Sequence, residues 1–236
     1  MRRLTLCLAA ALACVPVAAS AGDAPPSAIA WVKDWKTAQK QARATGRPVL
    51  VDFWAEWCHW CHELDRTTYA DPDVVALSAG FVAVKVNAEG SLGELDLARR
   101  YEVGTLPTIA FLSPQGLLLL RRTAFEEAAK FAATLRDAAQ AVASAASFEA
   151  ALAKNEKDAA SLHGLGALLF DQGLPGEAET LLAKARRLDR ARPIEERQRT
   201  RAMLADIARM QGRAGDVRKL QEEAAALTAG VAGTAR

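Results

Sequence analysis

The segment that most constrains this chain is Val49-Leu50-Val51-Asp52-Phe53-Trp54, which runs, three residues later, into Cys58-His59-Trp60-Cys61. A β-branched and aromatic run of this length, entered through Gly46-Arg47-Pro48, reads as a buried strand. A C-x-x-C that follows it and opens a helix places the first sulfur at the helix N-terminus, where unpaired N–H groups and the macrodipole stabilise a thiolate. Cys58 is therefore the expected nucleophile. Cys61, one helical turn on, is placed to attack a mixed disulfide at Cys58 and release the partner. The expected chemistry is dithiol–disulfide exchange, with Cys58–Cys61 as the redox disulfide.

The first 21 residues fit a cleaved signal peptide: Arg2 and Arg3, an apolar stretch from Leu4 to Ala13, then Ala19-Ser20-Ala21 before Gly22. The apolar stretch is shorter than the roughly 20 residues a membrane span needs. Ala11-Leu12-Ala13-Cys14 has its small residue and leucine in the wrong order for a lipid-attachment box. The mature chain is thus expected in the periplasm or otherwise exported. Cleavage removes Cys7 and Cys14, so of four cysteines only Cys58 and Cys61 remain. A lone pair closing so short a loop constrains little chain entropy and reads as a catalytic couple rather than a staple. Loss of Arg2 and Arg3 from 30 basic residues leaves them equal in number to the 28 acidic ones, which implies no nucleic-acid partner.

Residues 22–28 read as a disordered leader. Ile29, Val32, Trp35, Ala38 and Ala42 fall at helical spacing, ahead of the strand that begins at Pro48. Asp71-Pro72 caps a short helix that Gly80 ends, Phe81–Ala88 alternates as a strand, Leu92–Tyr101 is helical, and Thr108–Leu112 is a strand. Ser113-Pro114-Gln115-Gly116 turns the chain into Leu117–Arg121 as a hairpin, and a helix from Glu126 to Ala143 closes the unit. Asp52 sits in the strand expected to be buried on both faces. An ionised carboxylate there must either carry a raised pKa or be paired.

Val51-Asp52-Phe53-Trp54-Ala55-Glu56-Trp57-Cys58-x-x-Cys61 resembles the active-site segment of the thioredoxin superfamily, and Val103-Gly104-Thr105-Leu106-Pro107-Thr108 resembles that family's second signature. The stretch Leu64-Asp65-Arg66-Thr67-Thr68-Tyr69-Ala70-Asp71-Pro72-Asp73-Val74 is similar to exported members, including the C-terminal domain of the Dsb-system electron transporter. The resemblance covers residues 29–143. It implies an α/β thioredoxin fold with a central mixed sheet, protein thiol or disulfide substrates, and, separately, an upstream redox partner such as a membrane thiol-reductant system. It implies that Asp52 passes protons to Cys61, with Lys85 beside it. It also implies a cis bond before Pro107, so that Leu106, Pro107 and Thr108 offer backbone groups to an extended substrate.

Trp57 and Trp60 flank the cysteines and are expected to form a half-exposed apolar docking face, because the thiol between them must stay accessible. His59 and His62 depart from the family's usual Gly-Pro pair. A protonated His59 would stabilise the Cys58 thiolate and make the couple more oxidising, within a span of about −270 to −120 mV. Neither a metal nor a cofactor is expected. Cys58-His59-Trp60-Cys61-His62 is formally also C-x-x-C-H, the c-type haem attachment motif, for which His163, Met203 and Met210 would be the distant axial candidates.

Residues 144–236 hold no strand signal, no Trp and no Tyr. Leu165, Gly166, Leu169, Ala178, Leu182 and Ala185 fit the small-and-large pattern of a tetratricopeptide-like repeat. Phe148 and Ala151 precede Leu182 and Ala185 by that repeat's 34-residue period, and a further copy falls about 39 residues on, at Leu204, Gly212, Val217 and Ala224. An all-α helical-repeat domain that binds a peptide or protein partner is the expectation. The eight basic residues between Lys184 and Arg201 are expected to form a solvated helix face, or else a rim for an acidic peptide. A chaperone-like binding protein, in which client holding outweighs exchange, is the rival function.

Overall fold

A computed structural model describes residues 28–234. Expectations for the signal peptide with Cys7 and Cys14, and for residues 22–27, lie outside the described residues. Five strands form one sheet in the order β1-β3-β2-β4-β5: β1 Trp31–Val32, β2 Val49–Trp54, β3 Val82–Asn87, β4 Thr108–Leu112 and β5 Leu118–Thr123. β2 is central, parallel to β3 on one side and antiparallel to β4 on the other. β4 and β5 form the antiparallel hairpin expected around Gly116, whose φ of 94° suits a residue without Cβ. This is the mixed sheet of a thioredoxin fold.

Alternation along β2 divides the core. Val49, Val51 and Phe53 pack with Ala38 and Ala42 of α1 (Trp35–Thr45) and Leu97 and Ala98 of α4 (Leu92–Arg100). Leu50 points the other way. It meets Leu64 of α2 (His59–Arg66), Val74 and Val75 of α3 (Pro72–Ser78), and Phe131 and Leu135 of α5 (Ala128–Lys154). Full burial of each leucine on these faces is worth about 1.5–3 kcal/mol. Asp52, two residues beyond Leu50, therefore faces the α2 side.

Two expectations need correction. The helix foreseen from Ile29 begins at Trp35, because Asp34 accepts the Thr37 N–H (2.7 Å) as N-cap; Trp31 and Val32 instead pair with Ala83 and Val84 as an edge strand. The helix foreseen to end at Ala143 continues unbroken to Lys154. An alanine-rich sequence with no glycine or proline gives it no reason to stop sooner.

Beyond α5 lie two α-hairpins, α6 Ala159–Asp171 with α7 Pro175–Leu188, and α8 Ile194–Met210 with α9 Ala214–Thr234. Their turns correspond at the 39-residue spacing. Gly173 and Gly212 take positive φ (74° and 71°), and Leu174 N–H bonds to Leu169 O as Arg213 N–H does to Ala208 O. A 3-10 turn over Asp189–Ala191 lies between the two hairpins. Glycine also permits close approach here: a Cβ on Gly164 would stand 2.4 Å from the Phe148 ring.

One apolar cluster runs from Leu118 and Leu119 through Ala141 and Ala145 into Leu165, Leu169, Leu174 and Ala178. Ser113 Oγ, in the hairpin turn, donates to Glu149 Oε1 at 2.7 Å. The helical region therefore covers part of the sheet-side core. A chain ended after Ala143 is expected to unfold at least about 2 kcal/mol more easily than the full chain, the value of a single buried leucine or more. Denaturant titration of both checks this, and equal stabilities would mean that the two regions are energetically independent.

Candidate active site

Cys58 occupies the N-cap of α2 with extended backbone (φ −77°, ψ 92°), and its Sγ accepts the Cys61 N–H at 3.2 Å. His62 N–H bonds to Cys58 O at 3.2 Å. The Cys61 N–H, which also bonds to Cys58 O at 3.0 Å, is thus presented by the first turn of the helix to the first sulfur, an arrangement that favours a thiolate over a thiol. Cys58 and Cys61 are joined as a disulfide, with Cα atoms 5.3 Å apart. Both are almost fully buried, in a small cluster with Ala55 and beside Trp54 and Leu106.

Exposed tryptophans surround this point. Trp57 and Trp60 are 66% and 53% exposed. The Trp57 indole N–H donates to Glu89 at 2.9 Å, and the Trp60 ring lies 5.3 Å from those of His59 and Phe125. His59 is exposed, whereas His62 reaches back to the Glu56 carbonyl at 2.9 Å. The Leu106–Pro107 bond is cis. Pro107 is buried, its carbonyl takes the Ala124 N–H, and the Thr108 hydroxyl donates to Thr105 O at 2.7 Å. The structure thus brings Trp57, His59, Trp60 and Leu106 together around the disulfide. His163, Met203 and Met210 lie in α6 and α8, with the His163 ring bonded to Thr200.

Asp52 is wholly buried, and Lys85 Nζ stands 3.2 Å from its Oδ2. Burial pushes the Asp52 carboxyl up to about 6, against the pull of the Lys85 ammonium. Lys85 also pairs with Asp65 of α2, towards solvent. Its ammonium lies 5.3–5.6 Å from the ring centroids of Trp31, Trp54 and Tyr69. Asp65, Trp31, Tyr69 and Phe125 were not singled out by sequence reasoning. The Tyr69 segment carried a family resemblance but no periodic cue to a role, and Trp31 lay inside the stretch read as a helix from Ile29 without being one of its periodic residues.

The α2-side residues are held from below. Thr68 Oγ1 donates to Glu126 O, and Thr134 Oγ1 to the buried Glu126 carboxylate, so the 3-10 turn over Thr68–Ala70 is fastened to the start of α5.

A sheet in this order, with a C-x-x-C at the N-terminus of the helix after the central strand and a cis-proline loop ahead of β4, defines a thioredoxin-like domain, and residues 30–114 match the family model described as thioredoxin-like. Among curated proteins, the chain is similar to the thiol:disulfide interchange protein DsbD of Klebsiella pneumoniae subsp. pneumoniae, 37% identical over 102 residues that cover 42% of this chain and 17% of that protein. It is also similar to DsbD of Ralstonia nicotianae, 34% identical over 110 residues, covering 45% and 18%. The chain thus spans less than a fifth of the length of these curated relatives. Solved structures that it resembles include a thioredoxin from Thermus thermophilus (32% identity, TM-score 0.43, covering 47% of this chain and 86% of that one). Another is the oxidised C-terminal domain of Neisseria meningitidis DsbD (22% identity, TM-score 0.38, covering 43% and 90%).

A carboxyl raised to about 6 inside the protein, against about 3.8 in the unfolded chain, costs stability wherever it must ionise, fully above pH 6 and not at all once both states are protonated. Asp52→Asn is expected to stabilise the protein at pH 7 by up to about 3 kcal/mol, with the gain fading as pH falls from 6 to 4. Unfolding curves across that range check this. A variant no more stable than the parent at pH 7 would mean that Lys85 fully offsets the burial.

Proposed function

We propose that the chain is an exported protein thiol–disulfide oxidoreductase whose helical region recruits a client or a redox partner. The observation that carries this is the sulfur of Cys58 at the N-cap of α2, bonded to its own helix amide and joined to Cys61. Support also comes from the likeness to interchange proteins. Export rests on the sequence of residues 1–21.

In the reducing direction, the Cys58 thiolate attacks a client disulfide, forming a mixed disulfide and expelling one client thiolate. Cys61 loses its proton to Asp52, and its thiolate attacks the Cys58 sulfur. The second client thiolate leaves, two electrons have passed to the client, and the Cys58–Cys61 disulfide remains. An upstream dithiol then reduces it again. The reverse sequence oxidises a client, and the exposed His59 beside the helix start biases the couple towards the oxidising end when protonated. Trp57, Trp60 and Leu106 supply the apolar face on which a client docks, and Pro107 and Thr108 shape its edge.

Cys61→Ser is expected to accumulate mixed disulfides with clients, while Cys58→Ser accumulates few, as read by non-reducing electrophoresis of protein from the periplasm. Equal trapping by both variants would contradict the assigned order. Client protection by a variant lacking both cysteines would favour the chaperone-like function instead.

A further inference from the structure

The buried side-chain oxygens left without a hydrogen-bond partner, among the described residues, are three: the two of Asp52 and the hydroxyl of Tyr69. Both residues lie against the Lys85 ammonium, Asp52 Oδ2 at 3.2 Å and the Tyr69 ring centroid at 5.6 Å, and the Tyr69 hydroxyl is near enough to the Asp52 carboxyl to act on its ionisation. Buried polar groups are nearly always paired, so a donor and an acceptor held beside one ammonium without a well-formed bond of their own call for a functional account. The Tyr69 ring itself is firmly seated, edge-on to Trp31 (5.2 Å) and Phe131 (5.5 Å), and it is one of the three rings around the Lys85 ammonium.

We infer that Tyr69 is a positioning residue of the exchange reaction, its hydroxyl being the neutral donor that turns to Asp52 when that carboxyl ionises, and its ring being a wall of the box that keeps Lys85 on the same carboxylate. This rests on the exchange function proposed above. A protonated Asp52 carries its own donor and needs none. Ionised, it has two acceptor oxygens, and the Lys85 ammonium stands 3.2 Å from Oδ2. A tyrosine hydroxyl meets the changed need by rotating about its C–O bond, with no backbone movement. Burial, with the Asp52 charge next in effect, holds the Tyr69 phenol well above its ordinary range, so it remains a donor throughout working pH. The charged groups facing the pair are Lys85 from β3, Asp65 from α2 and Glu126 from the segment before α5. Each of these is unchanged by loss of the hydroxyl.

Tyr69→Phe separates the two roles, since it keeps the ring and deletes the donor. In the reduced full chain, the carbon-13 shift of the Asp52 carboxyl gives its titration midpoint directly, and the rate of exchange with a small disulfide gives the pH profile. Tyr69→Phe is expected to move both upwards by about one pH unit, the size one hydrogen bond to a carboxylate carries. In an Asp52→Asn background, the same substitution is expected to leave the rate profile in place. A midpoint within about 0.2 units of the parent, in a folded Tyr69→Phe protein, would overturn the inference. Parent protein that exchanges at no pH would instead sink the exchange function, and the carbon-13 titration would still decide whether Tyr69 serves Asp52.

Discussion

Everything at the site depends on how β2 ends. Because β2 is the central strand, its direction is fixed by β3 and β4 on either side, and the loop leaving Trp54 has a single place to go. That loop delivers Cys58 to the first free amides of α2, and the sulfur does the work that serine or aspartate does at other helix starts. A capping position is normally structural. Here the same geometry suits the cap to the nucleophile role proposed for it, since the interaction that holds the helix end also favours the charged form of sulfur.

A second consequence of the same strand is Asp52. A carboxylate on the inner face of a central strand costs stability, and the fold offsets only part of that cost. Lys85, one strand over in direct register, supplies a counter-charge within an aromatic box and reaches out to Asp65. The arrangement leaves the Asp52 carboxyl at about 6, near the pH at which it can both take and give a proton, which is the condition the proposed role as base for Cys61 requires. Stability is given up locally, and the rigid frame of α2, the following 3-10 turn and α5 tolerates it.

Where local signals were strong, the sequence was sufficient. The β2–α2 junction, the burial of Asp52 and the Gly116 hairpin follow from alternation, helix-start chemistry and turn residues. The cis bond at Pro107 was legible only through family resemblance, because chain physics alone favours trans. The edge strand was missed because Ile29, Val32 and Trp35 fit a helical period, and only the Asp34 cap and the pairing to β3 decide against it. The end of α5 was illegible for lack of a stop signal. The basic run from Lys184 also read differently in sequence than in space: Arg201 is buried against Asp189 at 2.6 Å, and Arg186 pairs with Glu223, 37 residues away, so part of that run welds helices together rather than facing solvent. Tyr69 lay in a segment that carried a family resemblance but gave no sign of a role, since its meaning lies in neighbours on β2 and β3.

The thiols themselves report most directly on how the site works. Reduced protein titrated by thiolate absorbance near 240 nm, with Cys61→Ser used to isolate the first sulfur, is expected to show Cys58 ionising clearly below the value of about 8.5 of a free cysteine, as a sulfur at a helix N-cap should. A Cys58 that ionises at or above that value would contradict the claim that the β2–α2 junction creates the nucleophile.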